Sequence, residues 1–219
     1  VLSDIFKRIN IPSERKDFVK SVVGETTITS SQIENNKGEK SIYKVNDDFR
    51  AETINKLFSL VSGYIDSKAV SNDSLKDLSL PNNPVTEEQI KNIALMPKAK
   101  QYIAVSKLSS DIAYFKTISK YRQAMDDLLE AMRAPGLDDV QRGVLERDYN
   151  YLKEKLDRFK EERQVYKDYN ETVTGILSES EKEKLTTIIN DDGTSSYFSD
   201  SAETQDKKEM YLSNPEKKE

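Results

Sequence analysis

Any chemistry in this sequence has to come from carboxylates, lysines, hydroxyls and tyrosines, because its 219 residues include no histidine and no cysteine. The usual general base is therefore absent, along with Ser-His and Cys-His nucleophile pairs and the commonest zinc ligand. Thiolate metal sites and disulfides fall away for the same reason. Gly38 stands alone before Glu39-Lys40, with no second glycine at phosphate-loop spacing. Asn190-Asp191-Asp192-Gly193 hints at a calcium loop. With Gly193 in the sixth position, however, Ile188 and Ser199 would fill the first and twelfth, where carboxylates are required. That segment reads as a turn.

The paired acids Asp126-Asp127 and Glu161-Glu162 lie in helical patterns whose bases sit a turn away. Glu154, Arg158 and Glu162 follow one another at i, i+4, as on a solvated charged face. A di-metal site between helices would need inward Glu-x-x-His motifs, which a histidine-free chain lacks. These absences lead us to expect a chain that is not an enzyme, with no cofactor and no metal.

Recognition chemistry is the alternative to catalysis. Of 11 tyrosines, Tyr102, Tyr114, Tyr121, Tyr149, Tyr151, Tyr166 and Tyr169 fall between residues 98 and 177. Tyr121, Tyr149 and Tyr166 share the apolar repeat and are expected in a core. Tyr114, Tyr151 and Tyr169 fall off it and are candidates for partner contact, since tyrosine is enriched in interfaces. Arg163 and Asn170 interrupt the repeat, either because the helices splay there or because they set register. In the C-terminal tail, Tyr197, Phe198 and Tyr211 are apolar islands in a polar, acidic context.

The elements that must carry these residues are mainly α-helical. Charged residues make up 33% and apolar ones 36%, against about 25% and 45–50% in an ordinary domain. Long two-faced helices fit that balance better than a thick core. Residues 98–133 contain neither Pro nor Gly, and their apolar positions Val105, Leu108, Ile112, Phe115, Ile118, Tyr121, Met125, Leu128 and Met132 step by 3, 4, 3, 3, 3, 4, 3, 4. This is a heptad seam with one overwound stretch. Ala134-Pro135-Gly136 breaks the helix, and acids at Asp138-Asp139 favour the start of the next. Leu145, Tyr149, Leu152, Leu156, Phe159, Arg163, Tyr166, Asn170 and Val173 then alternate steps of 4 and 3. The pattern predicts a long antiparallel, coiled-coil-like helical hairpin over 97–177, each arm about 50 Å long.

Residues 1–96 read as a smaller helical region. A short helix or turn at 2–10 precedes a helix that Pro12 opens and Gly24 ends. A β-ribbon is expected at about 26–46, pairing 26–33 with Ser41-Ile42-Tyr43-Lys44-Val45 across a turn at 35–39. Asn46, Asp47 or Asp48 would then cap a helix to about Ala69. A loop with one turn near Leu75–Leu78 follows, and Thr86-Glu87-Glu88-Gln89 is a capping box. Beyond the hairpin, a short helix is expected over 178–190 and an acidic polar tail over 191–219.

The net charge of −5 resides in that last part: residues 178–219 hold 6 bases and 11 acids, while 98–177 hold 15 and 14. No basic stripe of the kind that grips phosphates is evident. No run of apolar residues is long enough to span a membrane. The expected function is a non-catalytic structural or adaptor subunit of a larger assembly, such as a viral or phage particle, working through hairpin and tail contacts with copies of itself or other subunits. Such a chain would be soluble, cytoplasmic or within the particle. The alternative is a nucleic-acid-handling accessory protein using Lys116, Lys120, Arg122, Arg142, Arg147, Lys153 and Arg158 near the hairpin tip.

Overall fold

The computed structural model describes residues 1–28, 33–36, 40–80, 84–175, 185–189 and 195–199, and the chain is mainly helical. In order come α1 (Leu2–Phe6), α2 (Ser13–Val23), β1 (Glu25–Ile28), β2 (Ile33–Asn36), α3 (Ile42–Ser67), α4 (Asn72–Leu78), α5 (Glu87–Ala94), α6 (Lys98–Met132), α7 (Asp139–Gly175), β3 (Leu185–Ile189) and β4 (Ser195–Ser199). Strands β1 and β2 run antiparallel with Thr26 opposite Asn35, and β3 and β4 likewise with Thr187 opposite Tyr197.

Local chemistry accounts for several helix ends. Gly24 closes α2 at φ 74, a conformation that costs glycine little. Thr86 and Gln89 form the reciprocal capping box of α5. Asp138 caps α7: its carboxylate accepts from Gln141 N at 2.7 Å, and the Gln141 side chain accepts from Asp138 N at 3.3 Å. Gly136, at φ 75 in the preceding turn, accepts a hydrogen bond from Arg8 Nη1 at 3.0 Å.

Two sequence expectations are corrected. Ser41–Val45 is not a strand: α3 begins at Ile42, and Ser41 Oγ accepts from Lys44 N at 3.2 Å. A serine cap outweighs the β-propensity of Ile42, Tyr43 and Val45 once Ile42 and Val45, three apart, are buried on one helix face. The ribbon expected from 41–45 is thereby overturned, and Asn46 to Asp48 lie inside the helix rather than at its cap. The helix expected over 178–190 is also overturned where it is described, since Leu185–Ile189 is strand β3. Four successive β-branched residues, Thr186 to Ile189, are stiff at χ1 and favour the extended chain. The rest of that segment and most of the tail lie outside the described residues.

The chain divides into two compact units built from non-consecutive segments rather than at residue 96. The first combines Val1–Ala51 with Ala113–Lys160. Its core joins Leu2, Ile5 and Phe6 of α1 and Val19, Val22 and Val23 of α2 to Tyr121 and Leu128 of α6 and Leu145, Leu152 and Leu156 of α7. The second comprises Glu52–Ile112 with the chain from Glu161 onward. Leu57 and Val61 of α3, Leu75 and Leu78 of α4, Ile90 and Ile93 of α5 and Val105 and Ile112 of α6 form its core. Burying each such aliphatic side chain stabilises the fold by about 1.5–3 kcal/mol. Ser71 caps α4, which is two turns long rather than one.

Candidate interaction surface

Four aromatic rings from three helices meet in the first unit. Tyr43 comes from the first turn of α3, Tyr114 and Phe115 from α6, and Phe159 from α7. Phe159 is buried and acts as the hub. Tyr114 stacks on it with ring centroids 5.5 Å apart, and Tyr43 meets it edge-on at 5.8 Å. Phe115 in turn meets Tyr114 at 5.3 Å. Ring pairs in this range stabilise by about 0.5–1.5 kcal/mol each beyond their burial. The outer members face water, Tyr43 at 37% and Phe115 at 43% exposure. The cluster is thus anchored at its centre and open at two edges.

Charge borders it. Lys40 and Lys44 both pair with Asp48, the latter at 3.1 Å. Hydrogen bonds from these two lysines hold the Asp48 carboxyl below the usual carboxylate range. Along α7, Lys155 Nζ lies 5.0 Å from the centre of the Tyr151 ring, and Lys160 pairs with Asp157 at 3.6 Å. An apolar aromatic centre with a hydrated charged rim is the composition of a protein-binding surface.

Of the residues expected to make contacts, Tyr114 and Tyr151 are both half-buried and packed against the first unit's core. Arg163 is paired with Asp111 at 2.9 Å in the second unit, so a salt bridge accounts for its place in the apolar repeat. Tyr169 and Asn170 belong to α7 and Tyr197 and Phe198 to β4, but their side chains lie outside the described residues, as does Tyr211 altogether. The assignment of Tyr114 and Phe115 is inverted relative to the repeat. Phe115 was expected inside and is exposed, while Tyr114 was expected outside and stacks on Phe159. The signal lay in the overwound steps from Ile112 to Ile118. In the first unit the inward face runs through Ala113, Thr117, Ile118, Tyr121, Ala124, Leu128 and Ala131, so Ile118, Tyr121 and Leu128 of the repeat are buried and Phe115 alone of that stretch turns outward. Tyr43 was missed because its segment read as a strand.

Buried polar groups reinforce the same unit. Thr117 Oγ1 lies 3.2 Å from Asn46 Oδ1 and 2.8 Å from the Ala113 carbonyl oxygen. Arg15 Nε donates to Asp127 Oδ2 at 3.2 Å, and its Nη2 donates to Oδ1. Asp148 is buried beside Arg147, whose Nη2 donates to Oδ1 at 2.9 Å. Burial pushes the Asp148 carboxyl above its ordinary range, against a smaller opposing effect of Arg147.

The seven bases named for nucleic acid are partly engaged. Arg147 is paired with Asp148, Arg158 pairs with Glu154 at 3.2 Å, and Lys120 lies over the Phe18 ring at 5.8 Å. In the second unit an open groove of about 640 Å³ runs beside α3 and α4. Lys56 on its wall is held by Glu52 at 2.7 Å and approaches Asp77 at 4.0 Å. Among the described residues no group of three or more carboxylates is arranged to hold a metal ion, and no helix is long and apolar enough to cross a membrane. No known protein family, curated protein sequence or solved structure matches this chain.

Proposed function

We propose that this chain is a non-catalytic structural or adaptor subunit of a larger protein assembly, in which α6 and α7 form an antiparallel helical hairpin whose aromatic flank meets other subunits. The hairpin reading is supported within the first unit by the stack of Tyr114 on Phe159, residues about equally far from the turn that joins the two helices. The observation that carries the interaction reading is the partly exposed ring cluster of Tyr43, Phe159, Tyr114 and Phe115. Aromatic side chains offer large contact area, and residues of this type dominate binding energy at interfaces. A viral or phage particle is one setting for such a subunit.

Light scattering after size exclusion tests the reading, with the Tyr43→Ser/Phe115→Ser double variant alongside. Both side chains are at the cluster's open edges, so the variant should retain its helical circular dichroism. We expect the parent chain to form a discrete oligomer or a stable complex retrieved by affinity purification, and the variant to lose it. A parent that stays monomeric and partnerless, or a variant that assembles as well as the parent, would overturn the proposal.

A further inference from the structure

The corner between α5 and α6 in the second unit presents apolar side chains to water. Residues 95–100 are all exposed, Leu95 at 67%, followed by Met96, and Tyr102 in the first turns of α6 is exposed as well. The backbone beneath is tied down. Gln101 Nε2 donates to the Ala94 carbonyl at 3.0 Å and to the Met96 carbonyl at 2.9 Å, and Met96 N donates to the Ile93 carbonyl at 3.1 Å. Ile90 and Ile93 are buried below, and Tyr102 rests on Phe58 with centroids 5.1 Å apart.

Lysines flank the tip on both sides. Lys91 precedes it and Lys98 and Lys100 follow, and the acids nearest in sequence are Glu87 and Glu88, in the first turn of α5, and Asp111. Lys91, Lys98 and Lys100 are exposed and take part in none of the ion pairs among the described residues. Lys91 lies one turn before Leu95, and Lys98 and Lys100 follow within the first turn of α6. A single exposed leucine needs no explanation. A fixed Leu-Met tip with an exposed tyrosine on α6 and lysines at 91, 98 and 100 that make no ion pair among the described residues forms a more specific combination.

We propose that this corner docks peripherally on an anionic lipid surface, with Leu95 and Met96 entering the outer hydrocarbon and Lys91, Lys98 and Lys100 at the headgroups. Hydrocarbon rewards aliphatic side chains, while acidic headgroups attract the flanking lysines. Tyrosine is favoured at the boundary between the two. Nucleic acid would use the lysines, but single strands are held chiefly by stacking on aromatic rings and base edges by hydrogen bonds, neither of which a Leu-Met tip supplies. A protein partner fits less well, since the most exposed side chain of the tip is a leucine, a type under-represented among the residues that anchor protein interfaces.

Co-sedimentation of the full chain with vesicles decides the matter. The comparison is phosphatidylcholine alone against phosphatidylcholine with about one-third phosphatidylserine, where each lysine near the surface adds measurably to binding. The chain should pellet with the acidic vesicles at least about tenfold more tightly than with the neutral ones, and less tightly at high salt. The Lys98→Gln/Lys100→Gln and Leu95→Ser/Met96→Ser variants should each weaken that binding by about tenfold or more. All four side chains are exposed, so circular dichroism should be unchanged. Equal pelleting with both vesicles, no pelleting, or either variant binding as the parent does overturns the proposal. Labelled duplex DNA is the competing arm: DNA binding that needs the lysines but not Leu95 and Met96, without vesicle binding, assigns the corner to nucleic acid instead.

Discussion

Arg15 and Asp127 lie 112 residues apart in the chain and meet in a two-point ion pair, with Asp127 left only 1% exposed. The pair clamps α2 to α6 within the first unit. Removing the cation strands a buried carboxylate. We predict that Arg15→Ala costs about 3 kcal/mol, the bottom of the range for a broken buried pair, because Arg15 itself is partly open to water. Urea denaturation measures it, and a loss below about 0.5 kcal/mol would show that the pair does not hold the helices together.

The inverted roles of Tyr114 and Phe115 lead to a second prediction. Leu128→Ala and Leu152→Ala, at fully buried positions, should each lose about 2–5 kcal/mol. Phe115→Ser should lose no more than about 1 kcal/mol, since that ring is already in water on one side. Chemical denaturation of the three variants checks this. If Phe115→Ser proves as damaging as the leucine changes, the heptad reading of α6 is restored.

Asp148 makes stability depend on pH. Its carboxyl is raised from the ordinary value of 3.8, chiefly by burial, so the folded chain holds this proton more tightly than the unfolded chain does. The associated stabilisation is complete below the unfolded value and is lost as pH rises through the raised folded one. Asp148→Asn removes the penalty of a buried charge. The variant should melt above the parent at neutral pH, and the gap should close on acidification. Thermal unfolding across a pH series reads this directly, and a parent that melts higher at neutral pH contradicts it.

The start of α3 can be tested with one atom. Ser41 Oγ accepts the free Lys44 amide, and losing such a cap costs about 1 kcal/mol. Ser41→Ala should therefore lower the denaturation midpoint, while Asp47→Ala, inside the helix, should not show a cap-sized loss. The reverse result would place the helix start near Asn46, as the residue pattern alone suggests.

How much of this was readable in advance differs by element. The capping box at Thr86 and the glycine stop at Gly24 depend on neighbours within three or four residues, so the chain states them outright, whereas at Asp138 the sequence reading reached only the favourable first-turn acids and not the reciprocal bonds with Gln141. The long helices 98–132 and 139–175 were equally plain from their periodicity and the break at Ala134-Pro135-Gly136. Segments 41–45 and 185–189 were misread because β-branched residues suit either state when short, and burial or strand pairing then decides. The aromatic cluster was half-legible: Tyr114 stood out from the repeat, whereas Tyr43 and Phe159 meet only across 116 residues of chain.

Composition and local spacing were enough to establish a mainly helical chain without imidazole or thiol chemistry whose net negative charge falls in residues 178–219. Which face of α6 turns inward, that α1 and α2 share a core with α6 and α7, and that Arg163 pairs with Asp111 emerge from the folded chain alone. Periodicity reports that a helix has an apolar side but not what covers it. Long-range partners are chosen by fit and by the need to pair buried charge, and neither is written in any one segment.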